Sequence, residues 1–140
     1  MRRYLVVANQ TLCGEALLQQ ICETMSWGTC AFHLVVPATP GKDHLTYAAG
    51  EAWALAEHRL HDGLARLRAE GAAVTGAVGD ASPMLAIADA LRDQTFDEII
   101  LSTFPPSISH WVKLDLPQRV KRRYGLPVTH VVTQPEASGT

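Results

Sequence analysis

The sequence predicts a single doubly wound α/β domain, and three observations carry that expectation. Short runs of β-branched and aromatic residues alternate with segments whose apolar residues recur at helical spacing. Those strand-like runs carry almost no charge, as strands buried on both faces require. At 140 residues, 47% of them apolar, the chain suits one core, because compact domains usually hold about 100–150 residues.

Arg3 to Ala8 (RYLVVA) and Ala31 to Val36 (AFHLVV) read as the first two strands, with a helix between them over Gly14 to Trp27. The turn formers of PATPGKDHLTYAAG then lead into a long helix from about Ala48 to Glu70. Its Trp53, Leu60, Leu64 and Leu67 share one broad face, while Glu57, His58, His61, Arg66 and Arg68 lie mainly elsewhere. Gly71 closes this helix, and Ala73 to Val78 (AVTGAV) forms a weaker third strand. In GDASPMLAIADALRD, Ser82 is placed to cap the next helix and Pro83 fits its first turn, where no backbone donor is needed.

Phe96 to Ser102 (FDEIILS) is the fourth strand and Leu126 to Thr133 (LPVTHVVT) the fifth. Between them Asp115 can cap a short basic helix, LPQRVKRRYG, with Pro117 in its first turn, cations toward its negative end and Gly125 as terminator. The domain spans 1–134, and the tail, 135–140, is expected to fray. Alternating strands and helices imply parallel pairing, with crossovers covering both faces of the sheet. The expected result is a three-layer sandwich around five parallel strands. Ligands in such sheets bind at the carboxyl ends of the strands, near the point where strand order reverses. That rule directs attention to Asn9 and Gln10, Pro37 and Ala38, Gly79 and Asp80, and Ser102 to Pro106.

The charge balance is nearly even, with 12 Lys and Arg against 14 Asp and Glu. No overall basic field draws the chain to nucleic acid or to an anionic membrane, and no apolar run approaches the ~20 residues needed to cross a bilayer. Cys13, Cys22 and Cys30 form no CxxC pair and read as small buried hydrophobes. With no export-type leader at the start, the expected location is the cytoplasm.

The order of elements, the GD with Ser-Pro opening the third helix, the strand FDEIILST and the closing GLPVTHV together resemble the universal stress protein family over nearly the whole chain. The resemblance implies a Rossmann-like fold of the adenine nucleotide alpha hydrolase-like kind with its strands in the order 3-2-1-4-5, a homodimer, and a stress-related binding function. ATP-binding members carry a glycine after the fourth strand, another three positions later, and a Gly-Ser or Gly-Thr pair about ten residues beyond, which lets backbone N–H groups approach phosphate oxygens. Here the first two positions fall on Ser102 and Pro105, and the pair falls on Leu114 and Asp115, or one residue later. Proline offers no N–H, and a carboxylate at a helix amino end competes with phosphate for the same donors. Asn9 stands where the family commonly has an aspartate.

The expectation is therefore a non-catalytic binding or regulatory module that does not take ATP in the usual way, needs no cofactor, and has an unidentified small ligand or protein partner. Asn9 would be the polar anchor of any ligand, with the Thr103 and Ser107 hydroxyls as donors and Gln10, Ala38, Gly79, Asp80, Ser102 and Ser109 around it. Two alternatives stay open. One is a binder of ATP, AMP or a cyclic nucleotide that uses these hydroxyls and Arg119 in place of the glycines. The other is a small hydrolase or nucleotidyl-transfer relative, for which Ser107 and His110 would have to meet. His58 and His61 read as a solvated helix face rather than a metal site, and His33 and His130 as hydrogen-bonded sheet residues. Trp111 either covers the core or, if exposed, marks a partner surface.

Overall fold

The computed structural model describes residues 1–9, 11–12, 14–38, 49–105, 110–113 and 115–134. Its elements run β1 (Arg2–Val7), α1 (Glu15–Ser26), β2 (Cys30–Pro37), α2 (Ala49–Ala69), β3 (Val74–Gly79), α3 (Pro83–Asp93), β4 (Glu98–Thr103), α4 (His110–Lys113), α5 (Leu116–Tyr124) and β5 (Val128–Val132). The strands form one five-stranded sheet in the order β3-β2-β1-β4-β5, all pairs parallel. Both the alternation and the order agree with expectation.

Strand composition explains the layering. In β1, Leu5, Val6 and Val7 are fully buried, and so are Ile99, Ile100 and Leu101 in β4. Successive side chains point to opposite faces, so each of these strands needs cover on both sides. On one face Tyr4, Val6, Leu34, Ile100 and Val131 meet Leu17 and Ile21 of α1 and Ala56 and Leu67 of α2. On the other, Leu5, Val7, Val35, Ile99 and Leu101 meet Ala86 and Ile87 of α3, Trp111 of α4 and Val120 of α5. Trp111 is thus a core residue, 8% exposed.

Local signals place most of the boundaries. Ser82 accepts a hydrogen bond from Leu85 N at 3.5 Å, with Pro83 at the start of α3. Gly71 and Gly125 follow α2 and α5 with φ of 91° and 65°, the left-handed conformation that glycine tolerates.

Four expectations are corrected. Trp53 does not join the buried face of α2: it is 46% exposed and donates its indole N–H to Glu57, while Ala56 and Leu67, with Leu60 and Leu64 beside them, carry the contact. Cys22 and Cys30 are only half-buried, though both are free thiols. Asp115 precedes α5 but does not cap it. Its backbone is left-handed, with φ 58° and ψ 36°, and its carboxylate turns instead toward Arg122, 3.7 Å away. The short α4 was not anticipated, because its four residues are too few to show a period. The strands also sit one or two residues off the sequence boundaries, β4 beginning at Glu98 rather than Phe96 and β5 at Val128 rather than Leu126. The expected fraying of the tail lies outside the described residues.

Among the described residues, no helix is long and apolar enough to cross a membrane. Core burial on α3 sets a direct test. Ile87→Ala should lower the free energy of urea unfolding by about 2–5 kcal/mol. Leu85→Ala, two residues earlier and 55% exposed, should change it by about 0.5 kcal/mol or less.

Candidate functional site

The carboxyl ends of β1, β2, β3 and β4 bring together most of the residues selected from the sequence. Asn9 follows β1 and is 8% exposed. Its side chain is used at both ends: Nδ2 donates to the Pro37 carbonyl at 2.6 Å, and Oδ1 accepts from Nη1 of Arg59 on α2. The chain then turns tightly, with Leu12 N donating to Asn9 O and Gly14 N to Thr11 O. This turn sets the Thr11 hydroxyl 2.6 Å from that of Ser102, both buried.

Thr103, the last residue of β4 and 3% exposed, donates its hydroxyl proton to the Phe104 carbonyl at 2.8 Å. The same oxygen lies 2.7 Å from Nε2 of His130 on β5. Since a hydroxyl has one proton, the His130 contact runs from ring N–H to Thr103 oxygen, which the neutral Nε2–H tautomer supplies. Burial also pushes the His130 imidazole below the usual histidine range. His33 is held below it as well, by burial first and by Arg3 second, and its Nδ1 lies 2.8 Å from the Thr75 hydroxyl. Both are hydrogen-bonded sheet histidines.

On the β2 and β3 side, Ala38 N donates to Gly79 O at 3.1 Å. Gly79 lets α3 pack closely: a Cβ there would lie 2.8 Å from that of Ala86. Asp80 Oδ1 accepts from Ser82 N at 2.9 Å, so its carboxylate organises the turn into α3. Arg119 is exposed on α5. Gln10, Ser107 and Ser109 lie outside the described residues, as does the side chain of His110, and with them the Ser107–His110 pair that a hydrolase would need.

Thr11, Arg59 and His130 are the residues that the site-directed reading missed. Thr11 is two positions beyond Asn9 in the same turn, and proximity to a strand end was the available signal. Arg59 gave none, being one charge among many on a long helix.

Chemically, the described groups engage one another more than they present themselves. The hydroxyl of Ser102 meets another hydroxyl rather than a base. Buried Thr103 does meet the imidazole of the more exposed His130, but among the described residues no carboxylate orients the other ring nitrogen of His130. That leaves the pair without the third member of a nucleophilic arrangement. Nor do the described residues contain a His, Cys, Asp and Glu cluster able to hold a metal.

An open parallel sheet with its reversal point between β1 and β4, and polar residues gathered there, defines a Rossmann-like α/β protein. Its fold is that of the universal stress proteins. A universal stress protein crystallised in complex with cAMP matches at a TM-score of 0.64 and 15% identity, over 94% of this chain and 97% of the other. The universal stress protein of Archaeoglobus fulgidus matches at 0.65 and 16%, over 94% and 93%. A universal stress protein family member from Burkholderia pseudomallei matches at 0.58 and 15%, over 91% and 93%. No family model and no curated protein matches the sequence.

The two histidines predict a pH dependence. Their folded-state values lie below the unfolded one, so the unfolded chain binds more protons as the solution is acidified. Their contribution to stability is complete above about pH 6.5 and is lost as the pH falls through the folded-state values. Urea unfolding followed across this range should show the decline, and the double variant His33→Gln, His130→Gln should flatten it.

Proposed function

We propose that this chain is a non-catalytic binding or regulatory module with the universal stress protein fold, one that does not hold a triphosphate in the manner of the glycine-loop members. The observation that carries this reading is the mutual satisfaction of polar groups at the strand ends. The Asn9 amide, the Thr11 and Ser102 hydroxyls and the Thr103 hydroxyl spend their hydrogen bonds inside the protein. The Asn9–Pro37 and Thr11–Ser102 bonds are buried and the others part-buried, so a ligand seeking these groups would have to break them, and each buried break leaves a costly unpaired atom. Pro105 adds a position without an N–H beside the end of β4. The unidentified ligand or protein partner would then meet the outer surface of this end.

A homodimer through β5 fits the same reading. That strand lies at the sheet edge, pairs only with β4 among the described residues, and exposes 39% of Val132. The free thiols of Cys22 and Cys30 suit a cytoplasmic location.

A second reading is a nucleotide-binding stress protein. What favours it is the complex of one structurally similar universal stress protein with cAMP, together with the exposed cation of Arg119 near the start of α5.

Thermal unfolding of the purified chain against ATP, ADP, AMP and cyclic AMP, with and without Mg²⁺, separates the two. A ligand at 100 times its dissociation constant adds about 2.7 kcal/mol, a rise of roughly 5–15 °C for a domain of this size. The expected result is no rise with ATP. A clear rise with ATP overturns the first reading, and a rise confined to cyclic AMP or AMP supports the second.

A further inference from the structure

The sheet has a second edge, across from β5. Among the described residues β3 pairs with β2 alone, in an unbroken register over Val74–Gly79. Phe32 N donates to Ala73 O, and Ala38 N to Gly79 O. Backbone groups of a parallel strand turn to alternate sides with a period of two, so those of Thr75 and Ala77 also face β2, and the N–H and C=O groups of Val74, Gly76 and Val78 face outward. Among the described residues a single side chain reaches them: Arg68 Nη2 donates to Val74 O at 3.1 Å. Edge strands are ordinarily guarded by a lysine, a proline, an inward charge or a bulge. VTGAVG contains none of these, and Thr75 and Ala77 are exposed while Gly76 and Val78 are half-buried.

The edge is suited to a second copy of itself. Val74-Thr75-Gly76-Ala77-Val78 is nearly palindromic. Antiparallel pairing about a two-fold axis at Gly76 therefore sets Val74 of one copy opposite Val78 of the other, Thr75 opposite Ala77, and Gly76 opposite Gly76, with the outward N–H and C=O groups exchanged between copies. Two β-branched valines facing each other across strands are a favourable pair. Leu60 of α2 lies over Gly76, its Cδ1 2.6 Å from where a Cβ would stand. Leu60 is itself only half-buried, and the two-fold axis draws the two Leu60 side chains toward each other. The charges match as well. Arg68 stands at the Val74 end of the strand, and exposed Asp80 follows its other end, with Oδ1 accepting from Ser82 N and no cation paired with the carboxylate among the described residues. Antiparallel pairing lays each Arg68 beside Asp80 of the other copy, whereas parallel pairing would gather like charges.

We infer that β3 is a self-association edge, at which two copies of this chain pair antiparallel about Gly76 and join their sheets. It shares no residue with the β5 edge, so it stands or falls apart from the dimer proposed there. A copy paired at both edges would belong to an open row rather than to a closed pair.

The test is amide hydrogen exchange of the isotopically labelled chain, followed residue by residue from about 20 µM to about 1 mM. The Thr75 and Ala77 amides, bonded to β2, should exchange slowly throughout and so report an intact strand in every variant. Those of Gly76 and Val78 should exchange fast in dilute solution and slow by about fivefold or more in concentrated solution. Arg68→Asp and Asp80→Arg should each raise the dissociation constant by about fivefold or more, since two pairs turn repulsive at once. The double variant should restore it. Within one chain about 20 Å of strand separates Val74 from Asp80, so that rescue can come only from contact between copies. Fast exchange at Gly76 and Val78 at every concentration, slow exchange there that ignores concentration, protection gained only along β5, or a double variant no better than the single ones would each overturn the assignment.

Discussion

The arrangement depends on the double burial of β1. Hydrogen-bonded to β2 along one edge and to β4 along the other, with Leu5, Val6 and Val7 excluded from solvent, this strand has neither a free edge nor a free face. Helices must therefore cover it from both sides. Burying these side chains contributes about 1.5–3 kcal/mol each, far more than any surface ion pair in the molecule. Only the two ends of the sheet remain for polar chemistry, and that is where the polar residues collect.

The ends differ in character. At the carboxyl end, groups that could have served a ligand are tied to one another across elements distant in sequence: Asn9 to Pro37 and Arg59, Thr11 to Ser102, Thr103 to His130. The buried pairs among them, Asn9 with Pro37 and Thr11 with Ser102, hold because each partner would otherwise be unsatisfied in a poorly hydrated place. They lock the turn after β1 against β4 and make this end a structural joint. The amino end carries the exposed indole of Trp27 and a Glu98 carboxylate shared between the Arg2 guanidinium and the Thr129 hydroxyl.

How much of this was legible follows from the range of each interaction. Strands such as Leu5 to Val7 and Ile99 to Leu101 announce themselves through local composition, and the Ser82-Pro83 and Gly71 signals mark helix ends within a few residues. Strand order came with the resemblance of the whole pattern. Trp53 misled because its spacing matched the buried stripe of Leu60, Leu64 and Leu67, whereas the contact toward the start of α2 is made by the smaller Ala56. Asp115 misled because residue type fits a cap while the left-handed backbone there turns the carboxylate away. The pairing of Asn9 with Arg59 joins residues 50 apart in sequence, and no periodicity reports it. For the same reason the sharing of Glu98 between Arg2 and Thr129 left no trace in the sequence, since the three residues come from three strands.

The first residue before α1 meets the end of β5 with no space to spare. A side-chain carbon on Gly14 would lie 2.6 Å from the Thr133 methyl, while the Thr133 hydroxyl is buried without a partner among the described residues. Positions 14 and 133 therefore form one unit of variation. A larger residue at 14 becomes tolerable only alongside a smaller one at 133, whereas exchanging the stranded hydroxyl for the methyl of valine keeps the shape and removes an unmet polar atom. Drift in this corner should proceed by paired changes, and lineages of such chains should carry the two sites as a correlated couple.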